Sequence, residues 1–208
     1  MTLSLNQGFW LPLGSGGGDD DDMIFISKNT VSAGTSSLEI TSGIDSTYPV
    51  YKILAWNIQL NNNGAFGYQV STDTSGHSYG QTTTSVNYDA FNYTTGASGG
   101  PALMIRGSDT NNASTNLIKI GCNSDGSTDS DSSGSLEMVI SNPADTSGKF
   151  KVVDVVTAAS GEGGGQYARR YITTAYIDCG TSALTAIEFK PASGTFEGVF
   201  ALYGIKDS

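Results

Sequence analysis

The residues best placed by type and spacing to do chemistry are three aspartates in one polar run, Asp125, Asp129 and Asp131. Carboxylate oxygens clustered in a loop suit a hard cation, and Asp129-x-Asp131-x-x-Gly134 resembles half of an EF-hand loop. The bidentate glutamate that closes such a loop would fall on Ile140, inside a strand-like run. A structural calcium ion is therefore the one cofactor the sequence leaves open, and otherwise none is expected. Nucleophilic catalysis fares worse. Gly96-Ala97-Ser98-Gly99-Gly100 spells a nucleophile elbow, which needs a strand entering, a helix leaving and a histidine downstream. Pro101 follows instead, and the single histidine, His77, lies upstream in a polar turn where it reads as a solvated side chain. The glycine runs at 14–18 and 161–165 lack the small sixth residue and the βαβ setting of a dinucleotide fingerprint. Glycoside hydrolysis needs two carboxylates across a cleft, and the acids here fall mostly in turns. The expectation is a protein without enzymatic activity.

Two other groups suit binding. Tyr79, Tyr88, Phe91 and Tyr93, with Asn92 among them, offer flat faces that could contact a glycan, although aromatic residues in strands also serve as cross-strand packing pairs. Phe9-Trp10-Leu11-Pro12-Leu13 places four large apolar side chains on a segment too short to make its own core. Something must bury Phe9, Trp10, Leu11 and Leu13: the body of the same chain, or a partner protein. Behind them come Gly14-Ser15-Gly16-Gly17-Gly18 and Asp19-Asp20-Asp21-Asp22, a flexible run and then a self-repelling one. Residues 1–22 thus read as an extended arm and linker, and 23–208 as a single domain. The arm has no Lys or Arg before residue 14, and Asn6, Gln7, Gly8 and Pro12 interrupt its apolar run, so it is not expected to be a signal peptide.

The elements that must position these residues are strands. Gly supplies 27 of the 208 residues, and Ser, Thr, Asn and Asp crowd out the strong helix formers. Period-two alternation recurs in Leu136, Met138 and Ile140, in Tyr171, Thr173, Ala175 and Ile177, and in Ile187 and Phe189 beside Glu188 and Lys190. Residues 50–60 read as a half-buried strand with Val50, Leu54, Trp56, Ile58 and Leu60 on one face and Lys52, Asn57 and Gln59 on the other. Turn clusters such as Asn61-Asn62-Asn63-Gly64, Asn142-Pro143 and Pro191-Ala192-Ser193-Gly194 separate about ten to twelve such strands. Residues 109–115 and 123–134 are low in complexity and are expected as exposed loops, and the glycines at 161–165 as the tip of a long hairpin. Without helices to make parallel crossovers the strands must run antiparallel, and the expected fold is all-β, an antiparallel jelly-roll-type β-sandwich with an extended N-terminal arm. A formal net charge of −10 argues against nucleic acid as a partner, and no run approaches the roughly 18 apolar residues of a membrane-spanning helix. Cys122 and Cys179 are too few for a disulfide framework or a zinc site; whether they pair is left open.

The C-terminal end adds a resemblance. Phe196-Glu197-Gly198-Val199-Phe200-Ala201-Leu202-Tyr203-Gly204-Ile205, preceded by the apolar Ile187 and Phe189, resembles the closing hairpin of small bacteriophage virion proteins and tail-fibre-like β-domains, which end in an F-x-x-G-x-F-x-L-Y-G-I pattern. The strand at 50–60 with its Asn-rich turn and Gly67-Tyr68-Gln69-Val70-Ser71-Thr72-Asp73 resembles the early hairpin of such domains, and residues 134–143 their middle strand. The resemblance covers most of residues 41–206 and leaves out the arm. It implies a structural role in the virion, as a capsid decoration, cement or head-fibre subunit that docks on other virion proteins and assembles as a homotrimer. The alternative it implies is a tail-fibre or receptor-binding protein contacting host glycans. Its motif carries no catalytic group and transfers no active site.

Overall fold

The computed structural model describes residues 22–62, 65–93, 102–105, 111–121, 133–161 and 167–207. Among these residues there is no helix. Twelve strands run in chain order: β1 (Met23–Thr35), β2 (Leu38–Ile40), β3 (Val50–Leu60), β4 (Phe66–Ser71), β5 (Thr82–Tyr93), β6 (Ala102–Ile105), β7 (Ile118–Lys119), β8 (Gly134–Ser141), β9 (Lys151–Gly161), β10 (Tyr167–Asp178), β11 (Ala186–Pro191) and β12 (Phe196–Ile205). They form two antiparallel sheets, an eight-stranded one ordered β1-β12-β3-β8-β9-β10-β5-β6 and a four-stranded one ordered β2-β11-β4-β7. The first four strands alternate between the sheets, and the first and last strands of the chain lie side by side in the larger one. This is the all-β sandwich expected, with sheets of unequal width.

Alternation decides the core. Leu136, Met138 and Ile140 of β8, Val153 and Val155 of β9, and Ala175 and Ile177 of β10 face inward and are buried. The smaller sheet answers with Phe66, Tyr68, Val70, Ile187 and Phe189. The closing segment is not a ladder-paired hairpin: β11 lies between β2 and β4 in the smaller sheet, and β12 lies between β1 and β3 in the larger. Residues 192–195 therefore form an arch that carries the chain across the sandwich. The aromatic rings explain it, since Phe189 packs against Phe200 at 5.0 Å between centroids and Phe66 against Phe196 at 5.1 Å. Rings that meet across a core must hang from opposite sheets. The β3–β4 connection is an arch for the same reason.

In β3 the expected face is only half right. Tyr51, Ile53 and Ala55 point into the core, so Val50, Leu54 and Trp56 share the outer face with Lys52. An irregularity in the ladder between Ala55 and Ile58, with Asn57 at a φ of 54°, then returns Ile58 and Leu60 to the interior. One extra residue flips the parity of everything beyond it.

The unequal width has a chemical consequence. Among the described residues no strand of the smaller sheet lies beyond β7 to cover β9, β10 and β5, and the segment 111–121 packs there, with few of its backbone groups in a ladder. Side chains of the larger sheet satisfy them: Thr157 donates to the Ile120 carbonyl at 2.6 Å, Thr173 to the Lys119 carbonyl at 3.1 Å, and Ser85 accepts from the Asn111 amide at 2.9 Å. Asn111, expected in an exposed loop, is buried and donates through Nδ2 to Thr83 and to the Asn116 carbonyl. Inward-facing Thr and Ser on β5, β9 and β10 thus replace the hydrogen bonds of a missing sheet.

Candidate functional site

The arm residues Phe9, Trp10, Leu11 and Leu13, the aspartates Asp125, Asp129 and Asp131, Cys122 and the 96–100 glycine loop lie outside the described residues. Among the described residues no group of three or more His, Cys, Asp or Glu side chains could hold a metal ion. Cys179 is a half-buried free thiol whose sulfur lies 3.4 Å from the Ser182 carbonyl.

The candidate aromatic residues do not converge. Tyr88 stands on the outer face of the larger sheet, 41% exposed. Phe91, three residues on in the same strand, falls on the face of the buried Asp89, and Tyr93 closes β5 opposite Tyr167. Tyr79 belongs to the connection between β4 and β5 and reaches the other sheet, where its hydroxyl donates to Glu39 Oε2 at 3.2 Å. Burial first, and the Glu39 charge second, push that hydroxyl above the usual phenol range. His77 sits beside it, half-buried, with its ring 6.2 Å from that of Tyr79 and Nδ1 shielded without a hydrogen-bond partner.

Sequence reasoning could not pair the acids; the fold does. Glu39 of β2 and Glu188 of β11 are direct cross-strand neighbours on the outer face of the smaller sheet, with Gln69 of β4 next in the row. Their spacing is about 5 Å between Cβ atoms, near what a retaining glycosidase uses between carboxyl groups. Both are otherwise engaged: Lys190 pairs with Glu188 at 2.6 Å and Tyr79 with Glu39. Glu188 is also only 8% exposed. Like charges directly opposite one another destabilise a sheet, and Lys190 and Tyr79 offset that cost, so the cluster reads as a structural device. A second buried charge pair lies on the inner face of the larger sheet, where Arg169 of β10 donates to Asp89 of β5 through Nε at 2.8 Å and Nη2 at 2.7 Å. The guanidinium stacks 5.3 Å over the Tyr171 ring. A groove at the ends of β1, β3 and β12, lined by Gly34, Gln59, Leu60, Phe196 and Glu197, brings a single carboxylate and no partner for acid–base work.

What remains is surface. Met23, Phe25, Trp56, Tyr88, Phe150, Val152, Ile172 and Tyr176 are the large hydrophobic side chains exposed among the described residues. By strand alternation and register all but Phe150 lie on the outer face of the larger sheet, and Phe150, just before β9, packs its ring on Tyr176 of that face. The smaller sheet's outer face is the charged and amide row just described. Comparison with protein-family models, curated proteins and solved structures found no match to this chain.

Proposed function

We propose that this chain is a structural protein of a bacteriophage particle, a capsid decoration, cement or head-fibre subunit without enzymatic activity, anchored to other virion proteins through Phe9, Trp10, Leu11 and Leu13 and assembled as a homotrimer. The observation that carries the reading is the closing motif, which is used throughout for packing. Phe196, Phe200 and Leu202 fill the core, Tyr203 meets Phe25 edge-on at 5.7 Å, and a Cβ at Gly204 would collide with the Tyr48 ring. A motif spent largely on packing fits a rigid module copied many times on a particle, where repeated weak contacts add up. The tail-fibre alternative asks for a glycan platform, and Tyr79, Tyr88 and Phe91 lie on separate surfaces.

The arm supplies the test. Its four large side chains could bury several hundred square ångströms, worth several kcal/mol at about 25 cal/mol per Å² before the cost of ordering the segment. Each copy then holds weakly and attachment is multivalent. In the full chain, Phe9→Ala with Trp10→Ala is expected to leave folding and assembly unchanged and to abolish binding to particles. Unchanged binding, or a destabilised body, would show that the arm is not the anchor. Imaging of particles carrying the labelled protein is expected to place it on the shell; label at the tail replaces decoration by the fibre reading, and unlabelled particles overturn both.

A further inference from the structure

The sandwich has one wet side and one sticky side, and the sticky side is too regular to be incidental. In β9 the run Val152-Val153-Asp154-Val155-Val156 is apolar on both faces, the pattern of a strand covered above and below. Its inner face packs in the core, yet Val152 is 38% exposed. Register extends the outer face into rows. One runs Leu54, Glu137, Val156, Ile172, Tyr88 across β3, β8, β9, β10 and β5, and another, two rows along, runs Val50, Ser141, Val152, Tyr176, Thr84. The Phe150 ring lies against Tyr176 at 4.7 Å between centroids. The row between them carries Asp154, whose carboxylate accepts from Thr174 at 2.7 Å, and Lys52, which pairs with Glu137 at 2.8 Å.

From this face we infer that copies of the chain associate with one another through the outer surface of the larger sheet. Two arguments select a second copy as the occupant. The first is area. Five strands of eight to twelve residues, at about 4.8 Å spacing and about 3.3 Å per residue, give a face of roughly 850 Å², close to the share one partner contributes to a standard protein interface. An extended five-residue segment such as the arm's apolar run spans only about 17 Å and would leave most of that face uncovered. The second is charge. A chain of formal net charge −10 repels its copies, but the outward ionisable groups of these five strands are Lys52, Arg170, Glu137, Asp154 and Asp178, nearly balanced. A surface meant for a basic partner would concentrate the acidic excess; this one leaves it elsewhere.

Self-association is measured on the isolated protein, so this inference stands or falls separately from the virion assignment. Light scattering of the full chain over a wide concentration range is expected to give a multiple of the single-chain mass. Ile172→Glu, at the centre of the apolar row, is expected to weaken association about 30-fold or more, as a charge placed in an interface hot spot does. Thr174→Arg, on the neighbouring row at an exposed position, provides a second variant in case the first fails to fold, with circular dichroism and the unfolding midpoint checking each. Glu39→Gln, on the opposite side of the sandwich, is expected to leave the mass unchanged. A monomer at every concentration, or folded Ile172→Glu and Thr174→Arg proteins that keep the wild-type mass, would overturn the inference. So would loss of assembly in the Phe9→Ser, Trp10→Ser chain alone, which would assign the contact to the arm.

Discussion

Removing one member of the Asp89–Arg169 pair is expected to be the most damaging polar substitution in the body. The two side chains are 0% and 4% exposed and share two charge-assisted hydrogen bonds, so neither has water to fall back on. Asp89→Leu strands the guanidinium, and Arg169→Met strands the carboxylate. Either leaves a buried charge without its bidentate partner, at a cost of about 3–5 kcal/mol. At about 2–4 °C per kcal/mol for a domain of this size, the midpoint should fall by roughly 6–20 °C. The double variant Asp89→Leu, Arg169→Met removes both charges and both desolvation penalties, and should return to within about 2 kcal/mol of the wild type. Urea unfolding of the four proteins, with unchanged slope, measures the coupling directly. If each single change costs less than about 1 kcal/mol, or if the double costs the sum of the singles, the pair is not the buried, mutually dependent unit described above.

Two further outcomes follow from single residues. Tyr68 is fully buried and its hydroxyl has no hydrogen-bond partner, so Tyr68→Phe should leave stability unchanged or raise it by about 1 kcal/mol, whereas a loss of 1 kcal/mol or more in urea unfolding would reveal a partner for the hydroxyl. Asp45 is held below its usual value of 3.8 by hydrogen bonds from Thr47 and then from Tyr51, so its contribution is present above that value and lost as pH falls through the lower folded value. Asp45→Asn should therefore lower the thermal midpoint at pH 7 by an amount that shrinks as pH falls below 3.8, and a gap that does not shrink in acid would refute the assignment.

The sequence by itself determined the class of fold, because period two and turn chemistry are local. Leu136, Met138 and Ile140, or Tyr171, Thr173, Ala175 and Ile177, announce their faces without reference to the rest of the chain, and the structure buries them all except for small residual exposures. It could not announce which sheet each strand joins. The closing residues 187–202 alternate as a hairpin would, and only the meeting of Phe189 with Phe200 across the core makes them an arch. Parity was lost in β3 for a related reason, since the irregularity beside Asn57 depends on what its neighbours β8 and β12 require. The site-like groupings were the least legible. Glu39 and Glu188 stand 149 positions apart in a chain where neither neighbourhood is unusual, and Asp89 and Arg169 stand 80 apart. Their pairing comes from strand order and register, which long-range packing decides. The exposed face of β9 and β10 was half visible, in a run of valines apolar on both sides. That it lies uncovered follows only from the tertiary structure, which packs the second sheet against the opposite, inner face, because a strand's sequence encodes how much apolar surface it carries and the fold decides how much of that surface its own chain can bury.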